Sequence, residues 1–293
     1  MYDITIFGIH LTLKPIAFTI PIGNGWDVYW YGIIIALGFL FAIIYGYKNA
    51  PRFNIDIDKM LDIILVATPC AILGARTYYV LFDGEKLGSF KEFFGFDGSG
   101  FSGLAIYGGV IGALVTGFVM CKIKKVKILD MFDLAVLGFL IGQGVGRWGN
   151  FFNQEAYGTF TGSNFWGMTS NKIEMEMGEG LVHPCFLYES IWCLLGFVVL
   201  HILSKKRKFS GEITLMYCVW YGFERGFIEL LRTDSLMLGS FRVSSLLSFV
   251  ICIGAAITLL VMRNKMKTAV KEQDYISMFE EEIKSEKNEL SEE

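Results

Sequence analysis

The sequence is poor in charge, in histidine and in paired cysteines. Asp, Glu, Lys and Arg make up only 19% of its 293 residues, and only three residues are histidine. Six cysteines are present, most of them inside or beside apolar runs, and none forms a Cys-x-x-Cys pair. We therefore predict buried free cysteines rather than disulfides, and no metal or other cofactor.

Two functional signals are also missing from the sequence. Residues 1–27 lack a basic start followed by a compact apolar core, so no cleavable signal peptide is predicted. The chain shows no Ser-His-Asp, Cys-His or metal constellation of the kind that hydrolytic or self-acylating enzymes use. If the chain is an enzyme, its nucleophile is therefore expected to come from a second substrate.

Apolar residues are what the sequence has in abundance. They make up 53% of the chain, and the mean hydropathy of +0.48 is too high for an ordinary soluble domain. Apolar runs of about 20 residues, the length that crosses a bilayer as a helix, recur along the chain. We predict an all-α, polytopic integral membrane protein with seven transmembrane helices. They lie at 28–48, 61–82, 104–121, 128–145, 185–204, 212–231 and 244–262.

Basic residues concentrate in alternate connections between these runs. The clusters lie at 48–59, 122–127 and 205–208, and further basic residues follow 263 in the tail. Because positively charged connections face the cytoplasm, we predict that the N-terminus is outside and the C-terminus is cytoplasmic. An odd number of spans agrees with that orientation.

The segments between and beyond the spans define the predicted domains. Residues 1–27 form an extracytoplasmic N-terminal arm, which either lies along the interface or is disordered. Residues 28–262 form the transmembrane domain, with long outer loops over 83–103 and 146–184 that are suited to covering a cleft. Residues 263–293 form a charged cytoplasmic tail, which is either solvated and partly disordered or a partner-binding helix.

The segment Gly146–Gly158 carries an unusual set of polar side chains. Four of them follow directly on the apolar run 128–145: Arg147, Asn150, Asn153 and Glu155. Bilayer hydrocarbon strongly disfavours such groups unless they face a cavity or a partner. The segment alone leaves two interpretations open, a site for an anionic headgroup or a solvated loop that ends a helix.

Further polar residues lie within or beside the predicted spans. With a rise of about 1.5 Å per residue, all of them fall in the outer half of the bilayer. They are Tyr31, Arg76, Tyr107, Glu189, Arg225 and Glu229. On the sixth span, Tyr221, Arg225, Glu229 and Arg232 fall within an arc of about 80°. That face is expected to look into the bundle, either as part of a site or as an ion pair that only locks helices.

Glycines recur every four residues on two of the predicted spans. They are Gly108 and Gly112 on the third span and Gly138, Gly142 and Gly146 on the fourth. Small residues at this spacing let helix backbones approach closely, so we predict a packing role for them.

Arginines in the outer half of a membrane suit a phosphate, and the phosphate expected at that depth belongs to a phospholipid headgroup. Three functions remain open from these residues. They are a lipid-modifying enzyme, a transporter or flippase for an anionic lipid or solute, and a non-catalytic lipid-binding scaffold. A transporter predicts polar residues in both halves of the membrane, whereas the residues found here stop at the outer half.

The segment Gly146–Glu155 resembles the signature of the prolipoprotein diacylglyceryl transferase family. Five other segments resemble the same family in the same order. They are Trp30–Gly32, Gly74–Val80, Tyr107–Gly112, His183–Glu189, and Tyr221–Arg225 with Glu229. The resemblance covers residues 28–262 and implies a seven-span transferase of the bacterial plasma membrane with its active site toward the outer leaflet.

This resemblance implies transfer of the diacylglyceryl group of phosphatidylglycerol to the lipobox cysteine of a prolipoprotein signal peptide. A thioether forms and glycerol 1-phosphate leaves, in the first step of bacterial lipoprotein maturation. The implied partners are these substrates and membrane lipid, with no nucleic acid. The implied catalytic residues are Arg147, Arg225 and Tyr107. The implied substrate-binding residues are Arg147, Asn150, Asn153, Glu155, Tyr31, Arg76, Tyr221 and Glu229.

Tyr107 departs from the family pattern, in which a histidine often precedes this Gly-Gly pair and is cast as the general base. Tyrosine has an ordinary pKa of about 10 and is a poor base near neutrality. A cysteine thiol, with an ordinary pKa of about 8.5, already ionises to a few per cent at pH 7. We therefore expect the arginines to favour the thiolate and to stabilise the leaving phosphate. Tyr107 then either positions a substrate through a hydrogen bond or anchors the helix at the interface.

Overall fold

The structure, a computed structural model, describes residues 1–21, 25–82, 93, 105–233, 237–238 and 241–292, without the side chains of 237–238, 241 and 270–292. Eight α-helices occur in these residues. They are α1 Trp30–Asn49, α2 Ile57–Phe82, α3 Ile106–Ile123, α4 Ile128–Asn153, α5 Asn171–Met177, α6 Cys185–Ser204, α7 Glu212–Leu231 and α8 Val243–Glu292. Seven short strands accompany them. They are β1 Tyr2–Ile6, β2 Ile9–Leu13, β3 Ile16–Ile20, β4 Trp26–Tyr29, β5 Met168–Ser170, β6 Met237–Leu238 and β7 Phe241–Arg242.

Each of the seven predicted apolar runs coincides with a helix, because a long apolar segment satisfies its backbone hydrogen bonds only internally. Five helical segments are long and apolar enough to cross a membrane. They are Trp30–Phe53, Ile106–Ile123, Ile128–Asn153, Cys185–Ser204 and Val243–Ala269. The other two long helices, α2 and α7, carry the buried charges of Arg76, Glu224 and Glu229. The chain is therefore a mostly helical, polytopic membrane protein, as predicted.

The prediction of an all-α fold is wrong for the segments outside the long helices. The arm predicted over 1–27 forms two β-hairpins, β1–β2 and β3–β4, rather than a disordered lead. Ile4, Thr5 and Ile6 are β-branched residues, which favour a pleated strand over a helix. A strand is possible here because the arm lies outside the long apolar runs, where its backbone can pair with another segment.

The first hairpin turns through Phe7 and Gly8, whose φ angles of 48° and 77° are both positive. Two such residues fit the type I′ turn, which matches the twist of a two-residue hairpin. On its other edge β1 pairs antiparallel with β5, so that Ile4 lies opposite Ser170. The arm is therefore tied by main-chain hydrogen bonds to the segment between α4 and α6.

A buried apolar cluster joins the arm to the ends of two long helices. Its members are Ile4, Phe151, Tyr157, Met168, Ile173, Val182 and Phe186. The predicted outer loop 146–184 thus contains regular secondary structure: it holds the last turns of α4, β5 and α5. The hydroxyl of Ser170 caps α5 by accepting from the Ile173 amide at 3.2 Å. We call β1, β2 and residues 154–184 together the cap.

The last helix does not end at the predicted boundary near 262. α8 continues through the charged tail to Glu292, so the backbone there is helical rather than partly disordered. Lys and Glu, which dominate this tail, are strong helix formers and extend a helix that has already begun. The other predicted outer loop, 83–103, lies outside the described residues except for Phe93.

The chain divides into two compact units, Met1–Phe39 with Phe139–Glu293, and Leu40–Gly138. Within the second unit, α2 and α3 approach so closely that a Cβ on Gly112 would lie 2.7 Å from the carbonyl oxygen of Cys70. A Cβ on Gly108 would overlap the carbonyl oxygen of Gly74. The predicted packing role is confirmed for both glycines.

The glycines of the fourth predicted span behave less uniformly. A Cβ on Gly138 would meet the Ala42 side chain at 3.4 Å, and one on Gly146 would meet Ile35 at 3.1 Å. A Cβ on Gly142 would meet nothing within 4 Å. The backbone at Gly142 is nevertheless closely approached, because a Cβ on Gly38 of α1 would lie 3.3 Å from the Gly142 carbonyl oxygen. The predicted packing role is therefore supported at all three positions.

We predict that Gly112→Ala destabilises the protein, because the new methyl group meets backbone atoms that cannot move aside as a side chain can. Overpacking of this kind costs about 1–3 kcal/mol. Thermal unfolding in detergent measures the effect. Gly117→Ala on the same helix is the matched control, since a Cβ there meets nothing within 4 Å. The control should be neutral or slightly stabilising, and equal melting temperatures for the two variants would contradict the close approach.

Candidate functional site

Glu189 lies at the centre of a buried cluster of charges. It stands in the second turn of α6, and its side chain is only 1% exposed. Its Oε2 forms a salt bridge with Nη2 of Arg147 on α4. Because α4 runs on to Asn153, Arg147 is a helix residue and does not belong to a helix-ending loop.

Helix α7 brings two more guanidinium groups to the same carboxylate. Nη1 of Arg225 lies 3.4 Å and Nη1 of Arg232 lies 3.8 Å from Oε1 of Glu189. Nη2 of Arg225 also pairs with Oε2 of Glu229 at 2.5 Å, one turn along α7. The predicted polar face of this helix is confirmed, and so is the predicted Arg225–Glu229 ion pair. One contact locks the helix while the others build a cluster of positive charge around one acid.

Tyr221 belongs to the same cluster. Electrostatic interactions link its hydroxyl to Arg147, Glu189 and Arg225. Its ring stacks on that of Tyr217 with the centroids 5.5 Å apart. The four residues predicted to share one face of the sixth span therefore do meet in one place, and Tyr221 contributes the neutral polar group.

Asn150 connects Arg147 to Glu155. Its Oδ1 accepts from Nη1 of Arg147 at 3.5 Å, and its Nδ2 donates to Oε1 of Glu155 at 2.8 Å. Glu155 can fold back against α4 because Gln154 and Ala156, which follow the helix, both have positive φ angles. The pair of Asn150 and Glu155 thus holds the Arg147 side chain from one side.

Helix α1 brings Tyr31 to this region. Gly149 makes the space, because a Cβ there would lie 2.7 Å from Cδ2 of the Tyr31 ring. Electrostatic interactions link the Tyr31 hydroxyl to Glu155 and Arg147. The predicted residues Tyr31, Arg147 and Glu155 are therefore neighbours.

A pair of hydrogen bonds fixes α4 against α6 beside the cluster. Nε1 of Trp148 donates to Oγ of Ser190 at 3.1 Å, and that hydroxyl donates to the carbonyl oxygen of Gly144 at 2.8 Å. Trp148 follows Arg147, and Ser190 follows Glu189. The contact therefore sets the distance across which the arginine and the carboxylate meet.

The end of α7 is held from two sides. Nη1 of Arg242, just before α8, donates to the carbonyl oxygens of Glu229 and, at 3.0 Å, Arg232. From the cap, the amide of Thr159 donates to the carbonyl oxygen of Leu231 at 2.7 Å. These bonds satisfy carbonyl groups that the helix end leaves open, and they keep the Arg232 backbone in place.

Two predicted site residues, Arg76 and Tyr107, belong to the second unit. Arg76 is 5% exposed; its Nε donates to the carbonyl oxygen of Phe93 at 3.1 Å, and its guanidinium lies 5.5 Å from the ring centroid of Tyr79. Tyr107, at the start of α3, is 58% exposed, and its ring centroid lies 6.3 Å from that of Tyr78. An exposed ring at a helix start fits both roles expected for Tyr107.

Sequence reasoning placed Asn153 in the site, and it counted Glu189 among the polar residues of the outer half without giving it a role in the site. Asn153 ends α4, and its main-chain carbonyl accepts from Nζ of Lys172 at 3.2 Å, which ties it to the cap. Glu189 is the carboxylate that three arginines share. The signal was present, because a glutamate within an apolar run is costly unless it is paired. What the sequence does not show is which of several acids each arginine meets.

This arrangement is suited to binding an anion. A guanidinium offers five N–H donors in a planar fork that matches a phosphate or carboxylate. The contacts with described residues use only some of the five donors on each of Arg147 and Arg225. Across the part of the chain that the structure describes, no group of three or more His, Cys, Asp or Glu side chains is arranged to hold a metal ion.

The fold and the site define a class, a polytopic membrane protein in which three arginines surround one buried glutamate. The sequence profile of the prolipoprotein diacylglyceryl transferase family matches residues 15–262. The phosphatidylglycerol–prolipoprotein diacylglyceryl transferase of Clostridium novyi (strain NT) is 38% identical over 262 residues, covering 89% of this chain and 100% of the relative. The chain belongs to the prolipoprotein diacylglyceryl transferase family.

Two further relatives carry the same name. The protein of Finegoldia magna is 43% identical over 238 residues, covering 80% of this chain and 90% of the relative. The transferase 1 of Clostridium perfringens (strain 13 / Type A) is 42% identical over 261 residues, covering 87% and 97%. These names favour an enzyme over the transporter or flippase that the residues alone left open.

We predict that Glu189→Gln lowers stability by about 3–5 kcal/mol, because it leaves buried guanidinium groups without their shared anion. Thermal unfolding of the purified protein in detergent measures the change. Glu179→Gln is the control, because Glu179 is exposed on the cap. If the two variants melt together, Glu189 does not hold the cluster.

Proposed function

We propose that this chain transfers the diacylglyceryl group of phosphatidylglycerol to the lipobox cysteine of prolipoproteins. The observation that carries the proposal is the convergence of Arg147, Arg225 and Arg232 on Glu189. It forms an anion site in a protein whose relatives are named for an anionic phospholipid. Glycerol 1-phosphate is the expected leaving group, and a thioether is the expected product.

In this reaction the cysteine sulfur forms a bond to the glycerol carbon that carries the phosphate. The bond between that carbon and the phosphate oxygen breaks, and the oxygen keeps the electron pair. Negative charge therefore grows on the phosphate, where preorganised guanidinium groups stabilise it. We assign this role to Arg147 and Arg225, since both are already held by carboxylates and need little reordering when the lipid binds.

The neighbours of Arg147 complete the headgroup site in this proposal. Asn150 and Glu155 orient the guanidinium through their hydrogen bonds, and Tyr31 adds a hydroxyl on the same side. Tyr221 and Glu229 do the same for Arg225. Asn153 and Arg76 remain proposed substrate contacts on the resemblance alone.

We further propose seven spans, with α2 and α7 crossing the membrane beside the five most apolar helices. The basic segment Lys205–Lys208 lies between α6 and α7, at the opposite end of both helices from Glu189 and Arg225. By the positive-inside rule this supports a cytoplasmic position for the segment and an outer-leaflet position for the site. The bacterial plasma membrane, an outside N-terminus, a transferase domain over 28–262 and a cytoplasmic tail over 263–293 belong to the same proposal.

Arg147→Ala and Arg225→Ala should each abolish transfer while the protein still inserts in the membrane, because each removes a group that stabilises the departing phosphate. The assay incubates phosphatidylglycerol and a lipobox peptide with the enzyme and detects the thioether product by mass spectrometry. Losing one such group costs about 100- to 1,000-fold in rate. Lys206→Ala, an exposed cation in the α6–α7 connection, is the control and should keep full activity. Thioether formation at the normal rate by either arginine variant would refute its role.

Tyr107→Phe should reduce transfer only modestly, since it removes one hydrogen-bonding hydroxyl and keeps the ring. The same peptide assay measures the rate. Complete loss in Tyr107→Phe, with recovery in Tyr107→His, would show instead that this position supplies the general base.

A further inference from the structure

Glu224 is a buried carboxylate that the site described above leaves unused. It lies on α7 and is only 6% exposed. Neither of its carboxylate oxygens has a hydrogen-bond partner among the described residues. Glu189 and Glu229, by contrast, are both paired with arginine. Burying an ionised carboxylate without a partner is costly, so a ligand that brings a hydrogen-bond donor would stabilise this group.

Glu224 lines a pocket of about 330 Å³ formed by residues of α6 and α7. Its other lining residues are aromatic or aliphatic: Tyr188 and Trp192 from α6, and Phe223, Phe227 and Ile228 from α7. The pocket thus offers apolar walls and a single acid. A ligand that fits it is apolar and carries one weakly acidic or hydrogen-bond-donating group.

The pocket adjoins the arginine cluster. Electrostatic interactions connect Glu224 with Arg147, Arg225 and Glu189. Among the described residues, Tyr221 on α7 and Cys193 on α6 also interact with Glu224, and Tyr188 on α6 lines the same pocket. A phosphate held by the arginines would therefore be within electrostatic range of a group seated at Glu224.

We propose that Glu224 accepts the proton of the acceptor cysteine thiol. The inference rests on the proposed function. The thiol proton passes to a carboxylate oxygen of Glu224, and the resulting thiolate forms the carbon–sulfur bond. The carbon–oxygen bond breaks, glycerol 1-phosphate leaves, and Glu224 returns its proton to the departing phosphate. No other reactant is required for this balance.

The lining of the pocket favours the thiol over a headgroup hydroxyl as the donor. Signal peptides carry an apolar core that ends in small residues, which suits aromatic and aliphatic walls. A glycerol headgroup carries two hydroxyls and is poorly matched to a lining that is mostly apolar. A carboxylate here also removes the need for a base at Tyr107, where the ring cannot serve as one near neutrality.

Glu224→Gln tests the proposal, because it keeps the shape of the side chain and removes its ability to take a proton. We expect the kcat/KM for a lipobox peptide to fall about 10- to 30-fold at pH 7, where only about 3% of a free thiol is ionised. The deficit should shrink as the pH rises past about 8.5, because the thiol then ionises unaided. The KM for phosphatidylglycerol and the melting temperature should stay unchanged.

Two further variants make the test specific. Glu224→Asp keeps the carboxylate, so it should keep the wild-type pH profile at a reduced rate, and it serves if the Gln variant does not fold. Glu179→Gln on the cap should behave as wild type. A Gln variant with the wild-type rate at pH 7 would overturn the proposal. So would a deficit that is constant with pH and lies in the KM for phosphatidylglycerol, which would assign Glu224 to the headgroup. Absence of thioether with the wild-type chain would overturn the proposed function itself.

Discussion

Three guanidinium groups from two helices meet the carboxylate of Glu189 on a third helix, and the geometry of the site depends on this contact. A buried carboxylate is costly without partners, and buried arginines are costly without an anion. The arginines and Glu189 compensate each other's charge, so α4, α6 and α7 must come together at Glu189. The pairing does more than hold helices, because guanidinium groups already desolvated and oriented need little reorganisation when an anionic substrate arrives.

The cap holds the ends of the helices that carry the arginine cluster. It shares a buried apolar cluster with the ends of α4 and α6, and it bonds to the last carbonyls of α7. The side chains that orient Arg147, above all Asn150 and Glu155, lie where α4 passes into the cap. A site built at the junction of rigid helices and an ordered covering segment holds its charges within a narrow range of positions, as transfer of a group between two substrates requires.

Two buried carboxylates of α6 and α7, Glu189 and Glu224, differ in a way that has consequences for chemistry. The carboxylate of Glu189 forms ion pairs with three arginines. Glu224 is buried against aromatic rings, and its carboxylate oxygens have no hydrogen-bond partner among the described residues. Acids in such different surroundings take different roles, one as a fixed counter-charge and the other as a group that can move a proton. In the proposed reaction Glu224 takes the proton, so Tyr107 does not have to act as a general base, a role for which a phenol is unsuited near neutral pH.

The long helices and several charged residues of the site could be predicted from the sequence. The pairing of the arm with β5 and the contacts of Glu189 could not, and both outcomes have physical reasons. A long apolar run that crosses a bilayer forms a helix because its backbone hydrogen bonds have to be satisfied within the segment. Arg147, Arg225 and Glu229 stood out because charges within or beside such runs need partners. The hairpins of the arm had local signals, the β-branched residues of β1 and the turn at Gly8, whereas the pairing of β1 with β5 joins segments far apart in the chain that no local pattern connects. The shared role of Glu189 was missed because spacing shows which residues share a helix face but not which helix lies opposite.

The sequence by itself therefore determined that the chain is a helical membrane protein of the prolipoprotein diacylglyceryl transferase family, with arginines at one end of its helices. These properties follow from local composition and from ordered motifs. Only the tertiary structure decided that three arginines share Glu189, that Asn150 and Glu155 orient Arg147, and that Glu224 faces an apolar pocket. These are contacts between helices, and their partners depend on how backbones pack in three dimensions rather than on any local property of the chain.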